Sequence, residues 1–295
     1  MDMYKIINDS EHNYLRLDPI PSQETVEKYY KEDFYNEENK FFNDSSIEVQ
    51  LKDKVFFNSR WERVYEICSD YLGNLKEKKI YDIGFGFAQA LLFFKQKGLV
   101  CSGIEPAKEG VEYALKNGIN AELKGIEDRS SYTKGVKQDI VMMINVLEHL
   151  RKPFETLKNI RELLIDDKGI LIIDVPNEYN TFQKIANKEY NLKEWWIAPP
   201  KHINYFSPSS LSNLIKKAGF EILKKESSFP MEMFLLFGDQ YVGNNELGSI
   251  CHNKRVNFES LMIKHGYQEK LYSFYESLAK LELGRQIVIY AKPRI

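Results

Sequence analysis

The chain has 295 residues and a mass of 34.7 kDa, a length that fits one large domain or two small ones. Apolar residues make up 43% and aromatic residues 13% of it, a composition that excludes long disordered stretches. Lysine and arginine number 41 against 43 acidic residues, for a net charge of −2. The chain lacks the basic excess that nucleic-acid binding uses, so we predict no nucleic-acid partner.

The cysteines and the apolar runs exclude further classes. Cys68, Cys101 and Cys251 are odd in number and widely spaced, which argues against a disulfide framework and a structural zinc site. We therefore expect a reducing, cytoplasmic compartment. The opening residues lack the apolar segment of a secretory signal, and the longest apolar runs fall far short of the ~20 residues of a membrane span. No membrane span is predicted.

From residue 78 onward, strand-like runs alternate with helical periodicity. A β-prone run at 79–83 ends at a glycine and leads into an apolar helix at 87–97. A second strand at 99–104, a second helix at 107–117 and a third strand at 121–127 follow. This order predicts a βαβαβ unit, which is the repeating element of a parallel sheet.

Two continuous apolar runs come next, at 139–147 and 169–175, and are typical of strands buried on both faces of a sheet. Helical spacing over 153–164 connects them. A further helix is marked at its boundaries by an N-cap residue, a first-turn proline and a glycine after its end: Ser207, Pro208 and Gly219. The pattern predicts an alternating α/β domain that is doubly wound.

Two more strand-like runs lie at 220–224 and 286–291, and a segment of 54 residues, 230–283, lies between them. A loop of that length without structure is uncommon, so we expect an insertion that is helical over 257–283. The chain is therefore divided into four predicted segments: an N-terminal helical cap at 1–77, a core at 78–229, an insertion forming part of the substrate site at 230–283, and the last core strand at 284–295.

The turn after the first strand carries candidate ligand-binding residues. Gly84 and Gly86 follow Asp82 at alternate positions, and Glu105 ends the second strand 21 residues after Gly84. The free N–H groups at the start of a helix, and glycines, which have no side chain, let a ligand approach the backbone closely. An acidic residue at about this spacing accepts hydrogen bonds from a ribose. Gln89 replaces the third glycine of a dinucleotide fingerprint, and no P-loop motif occurs. The pattern favours an adenosine-containing cofactor without phosphates; a tight turn that binds no ligand is the alternative.

These residues resemble the class I S-adenosylmethionine-dependent methyltransferases, whose first motif is similar to Asp82-Ile-Gly84-Phe-Gly86-Phe-Ala88. The resemblance continues through blocks at 103–106, 145–150 and 202–220, and the last two look like the small-molecule branch that includes ubiquinone-pathway and bacterial sugar or surface-glycan methyltransferases. It covers 78–226 and the terminal strand. It implies S-adenosylmethionine as cofactor, S-adenosylhomocysteine as product, and a Rossmann-like, mostly parallel sheet of about seven strands with the last strand antiparallel.

Carried over position by position, the resemblance implies a cofactor site. Asp82 would help hold the ammonium end, Gly84 and Gly86 would face the methionine moiety, and Glu105 would bind both ribose hydroxyls. Ile126 and Glu127 match the adenine position, and Asn145 and Val146 match positions that line the methionine and sulfonium. The site is completed by Phe87 and Pro106.

Methyl transfer from a sulfonium is an in-line displacement with a neutral leaving group, so the enzyme must mainly align the acceptor and exclude water. A base helps when the acceptor is an alcohol, and histidine suits that task. His202 and His149 are the candidates; stapling a loop and packing against a helix start are the respective alternatives. No metal is predicted.

Most candidate substrate residues belong to the cap and the insertion. Asp239 and Tyr241 are available to a substrate hydroxyl, and one or two of Arg60, Lys201, Lys254 and Arg255 could bind the phosphates of a nucleotide-linked sugar. Tyr30 belongs to an aromatic cluster that could form a lid over an aromatic-lined pocket. Tyr205 is the remaining candidate. Core packing and solvated surface are the alternatives for all of them.

Together these features predict methyl transfer to a small polar metabolite, with O-methylation of a sugar or surface-glycan precursor as the first hypothesis. An N- or C-methyltransferase on an amino- or deoxysugar is an alternative. A non-catalytic binding protein with a methyltransferase-like fold is another. We expect a monomer or a homodimer.

Overall fold

The computed structural model describes residues 3–32, 51, 54–128, 131–132 and 136–294, apart from the side chains of 27 and 30–32. The strands are β1 (Lys5–Asn8), β2 (Leu15–Asp18), β3 (Lys79–Ile83), β4 (Val100–Glu105), β5 (Asn120–Leu123), β6 (Gln138–Ile144), β7 (Ile165–Pro176), β8 (Asn204–Tyr205), β9 (Phe220–Glu226) and β10 (Gln286–Pro293). The α-helices are α1 (Gln23–Glu32), α2 (Lys54–Leu72), α3 (Gln89–Gln96), α4 (Lys108–Lys116), α5 (Pro153–Asn159), α6 (Thr181–Glu189), α7 (Pro208–Lys217), α8 (Glu232–Leu236), α9 (Asn245–Lys264) and α10 (Gln268–Lys280).

Seven strands form the central sheet, in the order β5-β4-β3-β6-β7-β10-β9. The pairs from β5 to β7 are parallel, whereas β10 runs antiparallel to both β7 and β9. The predicted fold class is thus confirmed, including the antiparallel last strand. The strand order reverses between β3 and β6, and this is where ligands bind in such sheets.

Both faces of the sheet are covered. In β6, Val141 and Met143 belong to one buried cluster, and Ile140 and Met142 belong to the other. Helices α5 and α7 supply the first cluster, and α2, α3 and α4 supply the second. This double burial explains why β6 is a continuous apolar run instead of an alternating one.

The predicted boundaries of α7 are also found. The hydroxyl of Ser207 accepts a hydrogen bond of 3.1 Å from the N–H of Ser210, and Pro208 is the first helical residue. Gly219, which follows the helix, has a φ of +93°. The helix leads directly into β9.

The N-terminal segment contains strands as well as helices. A hairpin of β1 and β2 pairs antiparallel with β8, and the three form a second small sheet. Only helices were predicted here, because strands of four residues among polar residues leave little periodicity in the sequence. The division of the chain into four segments stays a prediction.

The insertion is helical over a longer range than expected. Helix α9 begins at Asn245, and Gly266, with a φ of +78°, lies in the turn between α9 and α10. Among the described residues, no helix combines the length and the apolar character needed to cross a bilayer.

Candidate active site

The turn between β3 and α3 is built for close approach. Gly84 has a φ of +72° and Gly86 a φ of +55°, a region that residues with a side chain rarely adopt. A Cβ at Gly84 would lie 2.6 Å from Cγ2 of Val146, which follows β6. The absence of a side chain at Gly84 therefore lets the ends of β3 and β6 come together.

Two buried carboxyl groups lie beneath this turn. Glu105 accepts hydrogen bonds from the N–H groups of Gly86, at 2.8 Å, and Ala107, at 3.0 Å. Burial raises the pKa of Glu105 to about 7, although both hydrogen bonds favour the ionised form. Burial and the nearby Glu105 raise the pKa of Asp82 well above its usual value, and Asp82 Oδ1 has no hydrogen-bond partner among the described residues.

A cavity of about 440 Å³ opens at the carboxyl ends of β3, β4 and β6. We call it the glycine cavity. It brings together seven of the ten predicted cofactor residues and one of the two predicted histidines: Gly84, Glu105, Pro106, Ile126, Glu127, Asn145, Val146 and His149. Asp82, Gly86 and Phe87 do not line it. Asp82 and Gly86 both interact with Glu105 of its lining, Gly86 through a hydrogen bond and Asp82 through its charge. The Phe87 ring packs edge-on against Tyr113.

The far end of the glycine cavity is formed by the segment after β5. This strand ends at Leu123, earlier than predicted, and residues 124–128 then leave the sheet and line the cavity together with Leu123. Glu127 is fixed there by a hydrogen bond of 2.7 Å from the N–H of Lys152. Two residues of α1, Gln23 and Val26, close the same cavity. Neither residue was predicted, because no sequence signal in α1 relates it to the turn after β3.

The two predicted histidines are neighbours, with ring centroids 5.0 Å apart. His149 Nδ1 lies 2.7 Å from the carbonyl oxygen of Lys201, and His202 Nδ1 lies 2.8 Å from the Glu178 carboxylate. Burial lowers the pKa of both rings, well below the usual value for His149 and to about 3 for His202. Both imidazoles are therefore neutral at pH 7 in the ligand-free protein, and the lowered pKa makes each ring a weaker proton acceptor than a free imidazole.

Buried ionisable side chains surround this histidine pair. Burial raises the pKa of Glu148 and Glu178 well above the usual value, while the ammonium of Lys201 favours their ionised forms. Glu148, His149 and His202 also offer one ligand-type atom each within 4.8 Å of one another. That set could hold a divalent cation. The positive charge of Lys201 disfavours such a cation. The absence of a metal stays a prediction.

A second cavity, of about 130 Å³, lies on the other side of Asn145. We call it the arginine cavity because Arg60 and Arg255 line it, as do Asp174 at the end of β7 and Gln286 at the start of β10. Arg60 pairs with Asp174. Asp174 was not predicted as a site residue, although it is the single carboxylate within the apolar run 170–175, a signal that could have identified it.

The other predicted substrate residues lie elsewhere. The Tyr205 hydroxyl donates to the His202 carbonyl oxygen at 3.0 Å and so staples the loop before β8. Asp239 accepts a hydrogen bond of 2.6 Å from Lys254. Tyr241 packs against the buried cluster that contains Phe229. Neither Asp239 nor Tyr241 lines the glycine or the arginine cavity. The side chain of Tyr30 is outside the described residues.

Comparison with known families decides how this site is classified. Residues 57–225, more than half of the chain, match the model of a family described as a methyltransferase domain. The chain belongs to the methyltransferase-domain family. This membership confirms the resemblance to class I methyltransferases, and the matched range contains the glycine turn, the histidine pair and most of the sheet.

Named relatives of this methyltransferase-domain chain are distant. The tRNA U34 carboxymethyltransferase of Campylobacter jejuni subsp. doylei is 26% identical over 183 residues, which are 57% of this chain and 59% of that protein. The ubiquinone biosynthesis O-methyltransferase of Saccharophagus degradans is 23% identical over 159 residues, 52% of this chain and 67% of that protein. The match thus spans less than two thirds of the first relative's length.

A solved structure shares the fold over a longer range. The magnesium protoporphyrin IX methyltransferase of Synechocystis PCC 6803 with bound SAH superposes with a TM-score of 0.55 at 13% identity. The superposition covers 92% of this chain and 100% of that one. The likeness supports the fold assignment.

Proposed function

We propose that this chain is an S-adenosylmethionine-dependent methyltransferase whose cofactor occupies the glycine cavity. The observation that carries the proposal is the arrangement of Gly84, Glu105 and Asn145 around one cavity of about 440 Å³. Glu105 would accept hydrogen bonds from the ribose, and Gly84 leaves room for the methionine end. When bound, the cofactor supplies an electrophilic methyl group.

The favoured acceptor is a hydroxyl oxygen of a small polar metabolite, and a sugar or surface-glycan precursor is the first hypothesis. His149 lines the glycine cavity and His202 lies behind it. A neutral imidazole at this place would take the hydroxyl proton as the oxygen attacks. The Glu178 carboxylate would orient His202. One alternative is a nitrogen or carbon acceptor atom. Another is that the chain binds its ligands without catalysing a reaction.

A tRNA acceptor is the second candidate, because one group of relatives is named tRNA U34 carboxymethyltransferase. The net charge of −2 supports it poorly, since phosphate binding depends on clustered Lys and Arg. We also propose a cytoplasmic location, which is supported by three free cysteines, two of them buried.

Calorimetry tests the cofactor. S-adenosylmethionine and S-adenosylhomocysteine should bind at about micromolar Kd, and NAD should not bind. Glu105→Ala should weaken binding of both. If neither ligand binds the wild type, or if Glu105→Ala leaves the affinity unchanged, the proposed cofactor site is wrong. Transfer of a radiolabelled methyl group to sugars, amino sugars or tRNA then identifies the acceptor class.

A further inference from the structure

The glycine cavity and the arginine cavity meet at one pair of side chains. Gln286 Nε2 donates a hydrogen bond of 3.0 Å to Asn145 Oδ1. Asn145 lines the glycine cavity and Gln286 lines the arginine cavity. The main-chain N–H of Asn145 also donates to the carbonyl oxygen of Asp174 at 2.8 Å. A molecule in the arginine cavity would therefore lie next to the end of β6 that faces the cofactor site.

The arginine cavity contains cations that are already neutralised. Four guanidinium groups line it, and each is close to a carboxylate. Three of these carboxylates also line the cavity: Arg60 pairs with Asp174, Arg63 with Glu226 at 2.8 Å, and Arg255 with Glu259 at 3.7 Å. The fourth, Arg285, pairs at 3.0 Å with Glu232, which does not line it. A phosphate that bound these arginines would displace the carboxylates and leave buried negative charge unpaired, which is strongly unfavourable. The charges of this cavity therefore disfavour an anionic ligand.

Several residues that line the arginine cavity have a buried polar atom without a hydrogen bond. Trp61 Nε1, Asp174 Oδ1, Arg255 Nε and Tyr275 Oη have no hydrogen-bond partner among the described residues, and Arg255 Nε lies 3.7 Å from the Glu259 carboxylate. Most buried polar atoms in folded proteins are hydrogen-bonded, so a cluster of exceptions needs an explanation. Trp61 Nε1 and Arg255 Nε are donors, Asp174 Oδ1 is an acceptor, and a tyrosine hydroxyl is both. Hydroxyl groups of a ligand, which donate and accept, match all four once small side-chain shifts bring them within reach.

The size of the arginine cavity limits what it can hold. Its volume of about 130 Å³ is less than a third of the 440 Å³ of the glycine cavity. It exceeds by far the ~10–15 Å³ that one water needs. Apolar side chains such as Phe56, Ile144 and Val288 also line it. The space suits one ring with apolar faces and a hydroxylated edge.

We propose that the arginine cavity binds the methyl acceptor and takes a neutral, polyhydroxylated molecule such as a glycoside ring. This rests on the proposed methyl transfer and replaces the expectation that Arg60 and Arg255 bind phosphates. In the transfer, the acceptor oxygen bonds to the methyl carbon, and the carbon–sulfur bond breaks with its electron pair left on sulfur. The hydroxyl proton passes to the imidazole of His149, which lines the adjoining glycine cavity.

Fluorine NMR of the full chain tests the acceptor cavity directly. The chain has three tryptophans, so labelling with 5-fluorotryptophan gives three resonances, and Trp61→Phe assigns that of Trp61. The labelled protein with S-adenosylhomocysteine is titrated with methyl hexosides and methyl deoxyhexosides, and separately with pyrophosphate. A glycoside should shift the Trp61 resonance, and pyrophosphate should not. A shift with pyrophosphate, or none with any glycoside, overturns the proposal.

Two matched variants locate the binding. Ile263 of α9 lines the arginine cavity, whereas Ile250 of the same helix is 44% exposed. Ile263→Phe should weaken glycoside binding roughly tenfold by filling the cavity, and Ile250→Phe should leave it unchanged. Equal effects of the two substitutions would contradict the location. If wild-type protein fails to bind S-adenosylhomocysteine, the proposed function is at fault; if it binds that ligand and no glycoside, only the acceptor proposal fails.

Discussion

The main-chain N–H of Gly86 donates a hydrogen bond of 2.8 Å to the carboxylate of Glu105, which ties the turn after β3 to the end of β4. The same carboxylate is buried and has a pKa raised by that burial to about 7. The group proposed to hold the ribose therefore changes charge near neutral pH in the ligand-free protein.

Cofactor affinity should depend on pH through Glu105. The ribose hydroxyls donate hydrogen bonds, so they favour the ionised carboxylate, and affinity is lost as the pH falls through about 7. Below that pH the Kd for S-adenosylhomocysteine should rise by up to ~tenfold per pH unit. Calorimetry over about pH 5.5 to 8.5 measures this. Glu105→Gln should remove the dependence, and a flat wild-type profile would contradict it.

Gly84→Ala should weaken cofactor binding more than it destabilises the fold. The added Cβ would meet Val146 Cγ2 at 2.6 Å and push it into the glycine cavity. Gly73→Ala is a matched control, because Gly73 has the same φ of +72° and no atom within 4 Å of the added Cβ. Each substitution should cost about 1–2 kcal/mol of unfolding free energy through backbone strain, measured by denaturant titration. Only Gly84→Ala should raise the Kd, by roughly tenfold or more; equal Kd values would argue against the placement.

The histidine pair should act on turnover, and His202 should not act on cofactor affinity. With the acceptor identified, His149→Gln and His202→Gln should each lower kcat by about 10²-fold or more if a neutral imidazole takes the hydroxyl proton. The Kd for S-adenosylhomocysteine should change little in His202→Gln, because His202 does not line the glycine cavity. His265→Gln, an exposed residue after α9, is the control. Unchanged kcat in both variants would leave the histidines a structural role.

Removal of metal should leave activity unchanged. The carboxylates beside the histidine pair already interact with the ammonium of Lys201, which disfavours a second cation. Turnover is measured after dialysis against a chelator and again with added Mn²⁺ or Zn²⁺. Loss of activity that either metal restores would assign Glu148, His149 and His202 as metal ligands instead of a proton-accepting pair.

Local signals were sufficient for the core of the fold. The bounds of β3 and the start of α7 were predicted closely, because a glycine ends the one and Ser207 with Pro208 begins the other. The glycine turn and Glu105 were likewise recognisable from a spacing of 21 residues. These features depend on neighbours in the sequence or on one repeated βαβ unit.

Long-range contacts were the part that the sequence analysis missed. Arg60 was proposed as a phosphate ligand, but its partner Asp174 lies 114 residues away and neutralises it. Strand β2 pairs with β8, which is only two residues long, so neither shows a clear periodicity. Spacing carries no information about such contacts, because they depend on how separate elements pack.

The position of β10 sets an order in which the molecule can be completed during synthesis. Within the part of the chain that the structure describes, β9 pairs only with β10, and β10 separates it from β7. Until the ribosome has made the chain through Pro293, β9 has no strand to join, and Gln286 cannot reach Asn145. A nascent chain that ends within the insertion therefore already has the residues of the glycine cavity but not the wall between the two cavities. Cofactor binding can precede the formation of the complete acceptor site.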